Sequence, residues 1–173
     1  GRPMIQYGVE LFKGMTSDIV VVIGAYSESV KKALKSYRVR YAYQARQLGT
    51  AHSVAIGLLS VSPKADIILV GYGDHMMLYR RSTIQKMIQR HQKEKSVITL
   101  ATTRYLKRGE LAWGRVVIDS KGNVEKIVEY KEASEKERKI RDLNLSFYCF
   151  DAEFLRKYIR KVKRSAVTKE YYL

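Results

Sequence analysis

Apolar residues fall in short unbroken runs, separated by segments where they recur at helical spacing. Pro3 to Phe12 carries apolar side chains at positions 4, 5, 9, 11 and 12 behind a proline, which predicts a helix with Pro in its first turn. Ile19 to Ile23 is continuously apolar and predicts a buried strand. Ser27 to Leu34 predicts a helix with Ser27 as N-cap. Val39 to Tyr43 alternates as a strand does, and Thr50 to Leu59 predicts a helix that Thr50 can cap. The run Asp66 to Asp74, DIILVGYGD, predicts a strand buried on both faces that ends at Tyr72-Gly73. Ser82 to Gln85 has the spacing of a capping box opening a helix to about Lys93, and Val97 to Thr102 is the next apolar strand.

Beyond residue 103 the pattern changes. Arg115 to Ile118 and Val124 to Tyr130 predict two strands joined by a turn at 119–123. Ser134 and Glu137 form a second capping-box pattern, Leu143 to Phe150 predicts a strand, and Asp151 caps a basic helix through Arg164. Helix–strand alternation followed by a hairpin gives the expected fold class: α/β, a doubly wound and mostly parallel sheet with a β-hairpin lobe. Residues 1–103 form the expected nucleotide-binding half and 104–173 the substrate half.

A chain of 173 residues, 46% apolar, is sized for one globular domain. No apolar run approaches the roughly 20 residues that cross a membrane. A single cysteine, Cys149, excludes an intramolecular disulfide and a cysteine zinc site, so a cytoplasmic location is expected. The net charge of +16 suits an anionic partner. Much of it lies on helix faces, near Lys31 and from Arg156 to Arg164, where a solvated basic face accounts for it.

Candidate chemistry sits at strand ends. Asp74 follows the C-terminal end of its strand, where open α/β sheets bind ligands, and one carboxylate there can hold Mg²⁺ against phosphate oxygens. It can equally start a turn. Gln44 ends another strand, and its amide can donate and accept at once, as a pyrimidine edge requires. Gly49 admits close approach to the backbone, and Thr50 opens a helix whose free N–H groups favour an anion or a polar ligand. On spacing alone, an ordinary strand–loop–helix connection explains this segment. His52, His75 and His91 read as structural or exposed, and Cys149 as a small buried hydrophobe.

Seven motifs occur in order: GRPMIQY, YxxxQLGTAH, LVGYGD, WGRVV, GNVEKIVEYKEA, LNxSFYxFD and EYYL. In this series the chain resembles the sugar-1-phosphate nucleotidyltransferases, in particular their uridylyltransferase members. The resemblance implies transfer of UMP from UTP to a sugar 1-phosphate, N-acetylglucosamine 1-phosphate foremost, with release of pyrophosphate and with Mg²⁺ as cofactor. It implies that Gln44, Gly49 and Thr50 surround the uracil, that Tyr72, Gly73 and Asp74 form the strand-end motif whose Asp binds the metal, and that Gly114, Glu129 and Asn144 line the sugar pocket. Asp74 is the expected catalytic residue and sole metal ligand within the chain.

The sequence departs from the family pattern at three places. Gly-Asp-x-Pro-Leu is Gly73-Asp74-His75-Met76-Met77, Gly-Tyr-Gly-Arg is Ala112-Trp113-Gly114-Arg115, and Asn-Thr-Gly is Asn144-Leu145-Ser146. The resemblance also calls for a Gly-rich phosphate loop upstream and a second metal ligand downstream. The expectation is therefore an incomplete catalytic domain, lacking one central strand and inactive alone. A basic module binding nucleic acid or another polyanion is the rival reading, although no recognised nucleic-acid motif accompanies the charge. An enzyme of the same fold using another base or sugar is the third.

Overall fold

The computed structural model describes residues 1–16, 18–106 and 111–173. In chain order the elements are α1 (Met4–Phe12), β1 (Val20–Ile23), α2 (Ser27–Ala33), β2 (Arg40–Tyr43), α3 (Thr50–Leu58), β3 (Ile67–Gly71), α4 (Arg81–Lys93), β4 (Ile98–Arg104), β5 (Arg115–Ile118), β6 (Val124–Val128), α5 (Glu135–Arg138), β7 (Asp142–Asp151) and α6 (Ala152–Tyr158). Short 3₁₀ turns occupy Met76–Leu78 and Ile159–Lys161.

The expected mostly parallel sheet is not what forms. Among the strands of the described residues, only β1 and β2 pair in parallel, as a two-stranded sheet of their own. The larger sheet has five strands, and its pairings are antiparallel: β7 with β3, β4 and β5, and β5 with β6. The helix–strand alternation does make β3 and β4 point the same way. The ten-residue strand β7 then inserts between them, and both ladders become antiparallel. Alternation fixes the direction of successive strands, whereas pairing is decided by a strand from 40 residues further on. For the same reason β3, expected in the middle of a parallel sheet, pairs on one side only, with β7.

Period-two alternation along β7 sends side chains to two cores. Tyr148 and Phe150 pack with Ile68 and Leu155 on one face, beneath α3 and α6. Phe147 and Cys149 are fully buried on the other, against Ile84, Met87 and the α1 residues Leu11 and Phe12. Burying a side chain like Phe147 contributes about 1.5–3 kcal/mol. A third core joins Val9 of α1 to Val21 and Ile23 of β1 and Leu34. Thus α1 reaches both sheets on one face. On the other, α3 contributes Val54 and Leu58 to the larger sheet's core while Gly57 lies against Val22 of β1. Among the described residues no strand pairing joins the two sheets.

The capping patterns divide. Ser134 and Glu137 form a full capping box, and Asp151 accepts from the Phe154 N–H at 2.7 Å. The other three are displaced by one residue or more. Gly49 rather than Thr50 is the N-cap of α3, Tyr26 rather than Ser27 that of α2, and α4 starts after Arg80, which places Ser82 inside the first turn. The last helix ends at Tyr158 and tightens into the 3₁₀ turn instead of continuing to Arg164.

Candidate active site

The predicted residues gather where β2 and β3 end and where β7 bends. Gln44 continues the β1–β2 pairing, its N–H bonded to the Ile23 carbonyl. The side chain is buried and its amide is engaged by Gly49 and the first turn of α3. Oε1 accepts from Ser53 Oγ at 2.9 Å, and Nε2 meets His52 Nδ1 at 2.8 Å and the Gly49 carbonyl at 3.4 Å. Gly49 has φ of +106°, and a Cβ there would lie 2.5 Å from the Tyr171 carbonyl. That carbonyl accepts the Ala51 N–H, the Tyr171 N–H donates to Leu48, and the Leu173 N–H donates to Thr50 Oγ1. Residues 171–173 therefore cover the start of α3, where the sequence suggested an open anion site.

The sugar-side residues also meet. Gly114 is buried, and a Cβ on it would lie 3.3 Å from Glu129 Oε1 and 3.5 Å from Asn144 Cβ. The Asn144 N–H donates to the Gly114 carbonyl, and Asn144 Nδ2 donates to the Tyr148 hydroxyl at 2.6 Å. Burial raises the Glu129 carboxyl above its ordinary range, with Glu132 and Glu170 adding like charge.

Tyr72 joins the two groups. Burial raises its pKa, the neighbouring side chains of Thr50 and Ser146 oppose that rise, and the charges of Glu129 and Asp74 add to it. Asp74 is exposed just beyond the end of β3 and makes no salt bridge among the described residues. No cluster of three metal-ligating side chains occurs among the described residues. A lone accessible carboxylate nevertheless fits Mg²⁺, which keeps several waters and takes one or two carboxylates with substrate phosphates.

Three features escaped the sequence reading. Arg115 is 2% exposed and holds the preceding loop, donating to the carbonyls of Leu111, Trp113 and Arg138. Its guanidinium also lies 5.1 Å from the Tyr130 ring centroid. The juxtaposition of Arg with the apolar pair Val116-Val117 was the available signal. The second feature is a stack: His75 sits between Tyr72 (5.8 Å) and Trp113 (5.6 Å), both within 30° of parallel. It links the β3 end to the loop before β5. The third is Ser146, in the left-handed conformation at φ +55°. Away from this site, an open groove of about 520 Å³ lies between β6 and α5, lined by Lys126, Ser134 and Glu137.

A sheet with helices on both faces and a polar cluster at its strand ends is an architecture that binds ligands at those ends. The chain belongs to the nucleotidyl transferase family, whose model matches residues 1–171. It is 37% identical over 175 residues to "Bifunctional protein GlmU" of Caldicellulosiruptor saccharolyticus and 34% identical over 174 residues to that of Bacillus subtilis. In both cases the whole of this chain is aligned, and it spans 37% of the first relative's length. Among solved structures it is similar to CMP:2-keto-3-deoxy-manno-octonic acid synthetase complexed with CTP, with TM-score 0.69 and 15% identity over 96% of this chain and 70% of that one. The UDP-glucose pyrophosphorylase complexed with UDP-glucose gives TM-score 0.66 and 16% identity over 98% of this chain and 71% of that one.

Proposed function

We propose that this domain serves transfer of UMP from UTP to a sugar 1-phosphate, with N-acetylglucosamine 1-phosphate the foremost acceptor and pyrophosphate the leaving group. The observation that carries the reading is the meeting of Gly114, Glu129 and Asn144, where the Asn144 N–H donates to the Gly114 carbonyl and a Cβ on Gly114 would lie 3.3 Å from Glu129 Oε1. The identity to the GlmU proteins supports it. Gln44, Gly49 and Thr50 hold the uracil, Tyr72 and Gly73 border the phosphates, and Gly114, Glu129 and Asn144 receive the sugar. Glu129 accepts from sugar hydroxyls and Asn144 donates and accepts. The sugar phosphate oxygen bonds to the α-phosphorus of UTP as the bond from that phosphorus to pyrophosphate breaks. The protein's share is chiefly positioning. Asp74 would hold Mg²⁺, which when bound neutralises charge on the triphosphate.

Ligand binding by the 173-residue chain is the readout. Calorimetry with UTP, CTP, ATP and GTP in Mg²⁺, and with a panel of sugar 1-phosphates, tests the reading. Preference for UTP together with binding of a sugar 1-phosphate is expected. Equal affinity for purine and pyrimidine nucleotides would remove the base assignment. The +16 charge favours a second reading, a polyanion-binding module. It predicts steep loss of affinity with salt and indifference to the sugar.

A further inference from the structure

Two segments that carry candidate residues meet through a stack of three rings. The turn after β3 bears Gly73 and Asp74 and is pinned from within and from below. The N–H groups of His75 and Met76 donate to the Tyr72 carbonyl at 3.0 and 3.2 Å. Met76 is buried in the core with Ile84 and Phe147, and a Cβ on Gly8 of α1 would lie 3.1 Å from the Met76 Cβ. The loop before β5 bears Trp113 and Gly114, and the buried Arg115 guanidinium holds it by the Leu111 and Trp113 carbonyls. Between these two anchored segments stands the half-buried His75 ring. Its centroid lies 5.8 Å from that of Tyr72 and 5.6 Å from that of Trp113, at interplanar angles of 28° and 23°. These are the separations of offset-stacked aromatic pairs. Removing the one ring breaks both contacts at once. Two departures from the family pattern, Met76 and Trp113, lie at the two ends of this clasp.

We propose that His75 is a positioning residue that couples the two sides of the site: its ring clasps the Asp74 turn to the Gly114 loop, so that a ligand ordering either side tightens binding at the other. The clasp has two states, one with the rings stacked and one with Trp113 swung away. A ligand that bears on residues 72–74 favours the stacked state, and so does one that bears on Gly114. Each then raises the other's affinity by the same factor, as linkage requires. The energy of one aromatic pair sets that factor at about 2–12-fold. The ligands rest on the proposed function; the clasp itself does not.

Calorimetry with N-acetylglucosamine 1-phosphate and Mg²⁺ tests the coupling, with and without a UTP analogue whose α,β-bridging oxygen is a methylene, so that pyrophosphate cannot leave. In the wild type the sugar phosphate should bind about 2–12-fold tighter with the analogue present, and the reverse titration should give the same ratio. His75→Ala should bring the ratio to one, and His75→Phe, which keeps a flat ring, should restore it. A merely structural role would shift both dissociation constants, or the melting temperature, and leave their ratio alone. A ratio of one in the wild type, a wild-type ratio in His75→Ala, or no recovery in His75→Phe overturns the inference. Trp113 is the sole tryptophan, so its fluorescence reads the clasp with no ligand present. At a temperature where circular dichroism shows all three proteins folded, acrylamide should quench Trp113 more strongly in His75→Ala than in the wild type, and no more strongly in His75→Phe. Equal quenching in all three overturns the clasp whatever the ligands do. Raised quenching in His75→Ala alone, in a protein that binds neither ligand, upholds the clasp and overturns the proposed function instead.

Discussion

Replacing Arg115 by methionine keeps a long side chain in the buried site and deletes the guanidinium. Three carbonyls, of Leu111, Trp113 and Arg138, then lose a charged donor. Hydrogen bonds to a charged group contribute about 1.5–3 kcal/mol each, a gross loss of about 4.5–9 kcal/mol. Methionine also avoids desolvating a cation, an effective relief of several kcal/mol. The contact with the Tyr130 ring, worth about 2 kcal/mol when desolvated, goes with it. The balance is a destabilisation of about 3 kcal/mol, which for a chain of this size lowers the melting temperature by about 6–12 °C. Function should suffer unevenly, because the freed loop carries Trp113 and Gly114. Below the new melting temperature, Trp113 emission should shift to the red and sugar 1-phosphate binding should fall further than UTP binding. Circular-dichroism melts and calorimetry on the same preparation read both. An unchanged melting temperature, or equal losses for the two ligands, would refute the assignment of Arg115 as the fastener of this loop.

Gln44→Met should cost about 1–2 kcal/mol of stability, since it breaks three contacts, to Gly49, His52 and Ser53, whose partners are partly open to water, and should reduce the preference for UTP over ATP; melts and calorimetry check each. Asp74→Asn should leave the melting temperature unchanged and abolish the Mg²⁺-dependence of UTP binding, measured by titration with and without the metal. Glu129 has a folded pKa raised above its unfolded value, so its ionisation opposes folding. Stability should fall as pH rises from about 4.5 through the raised folded value, with the whole cost present above that value. Glu129→Gln should therefore melt higher than wild type at pH 7, with the difference closing below about pH 4.5, in paired melts across that range.

Much of the secondary structure was legible because it depends on local pattern. The apolar runs at Val20–Ile23 and Ile67–Gly71, the hairpin at 119–123 and the caps at Ser134 and Asp151 need only neighbours within a few residues. Pairing partners were not legible, because the place of β7 between β3 and β4 is decided by burial of Phe147 and Cys149 on one face and Tyr148 and Phe150 on the other. The candidate residues were found through motif order, and the meeting of Gly114 with Glu129 and Asn144 depends on segments far apart in the chain. The coverage of α3 by residues 171–173 was not legible, because helix-start chemistry read from Gly49-Thr50 carries no information about a distant segment. Nor was the positive φ of Ser146, since serine is an uncommon residue in that conformation.

The division of the strands into two separate ladders bears on how the molecule opens. A ladder that shares no backbone bonds with its neighbour can break alone, at a cost below that of global unfolding. The amides of Val20–Ile23 and Arg40–Tyr43 belong to the short ladder, packed against α1, α3 and the end of α2, and should exchange with solvent deuterium well before those of Phe147–Phe150. Gln44 hangs from the end of that short ladder, so the base-side residues ride on the least protected part of the fold. A nucleotide bound there would slow exchange in β1 and β2 more than anywhere else, drawing its affinity down by the ordering it has to impose.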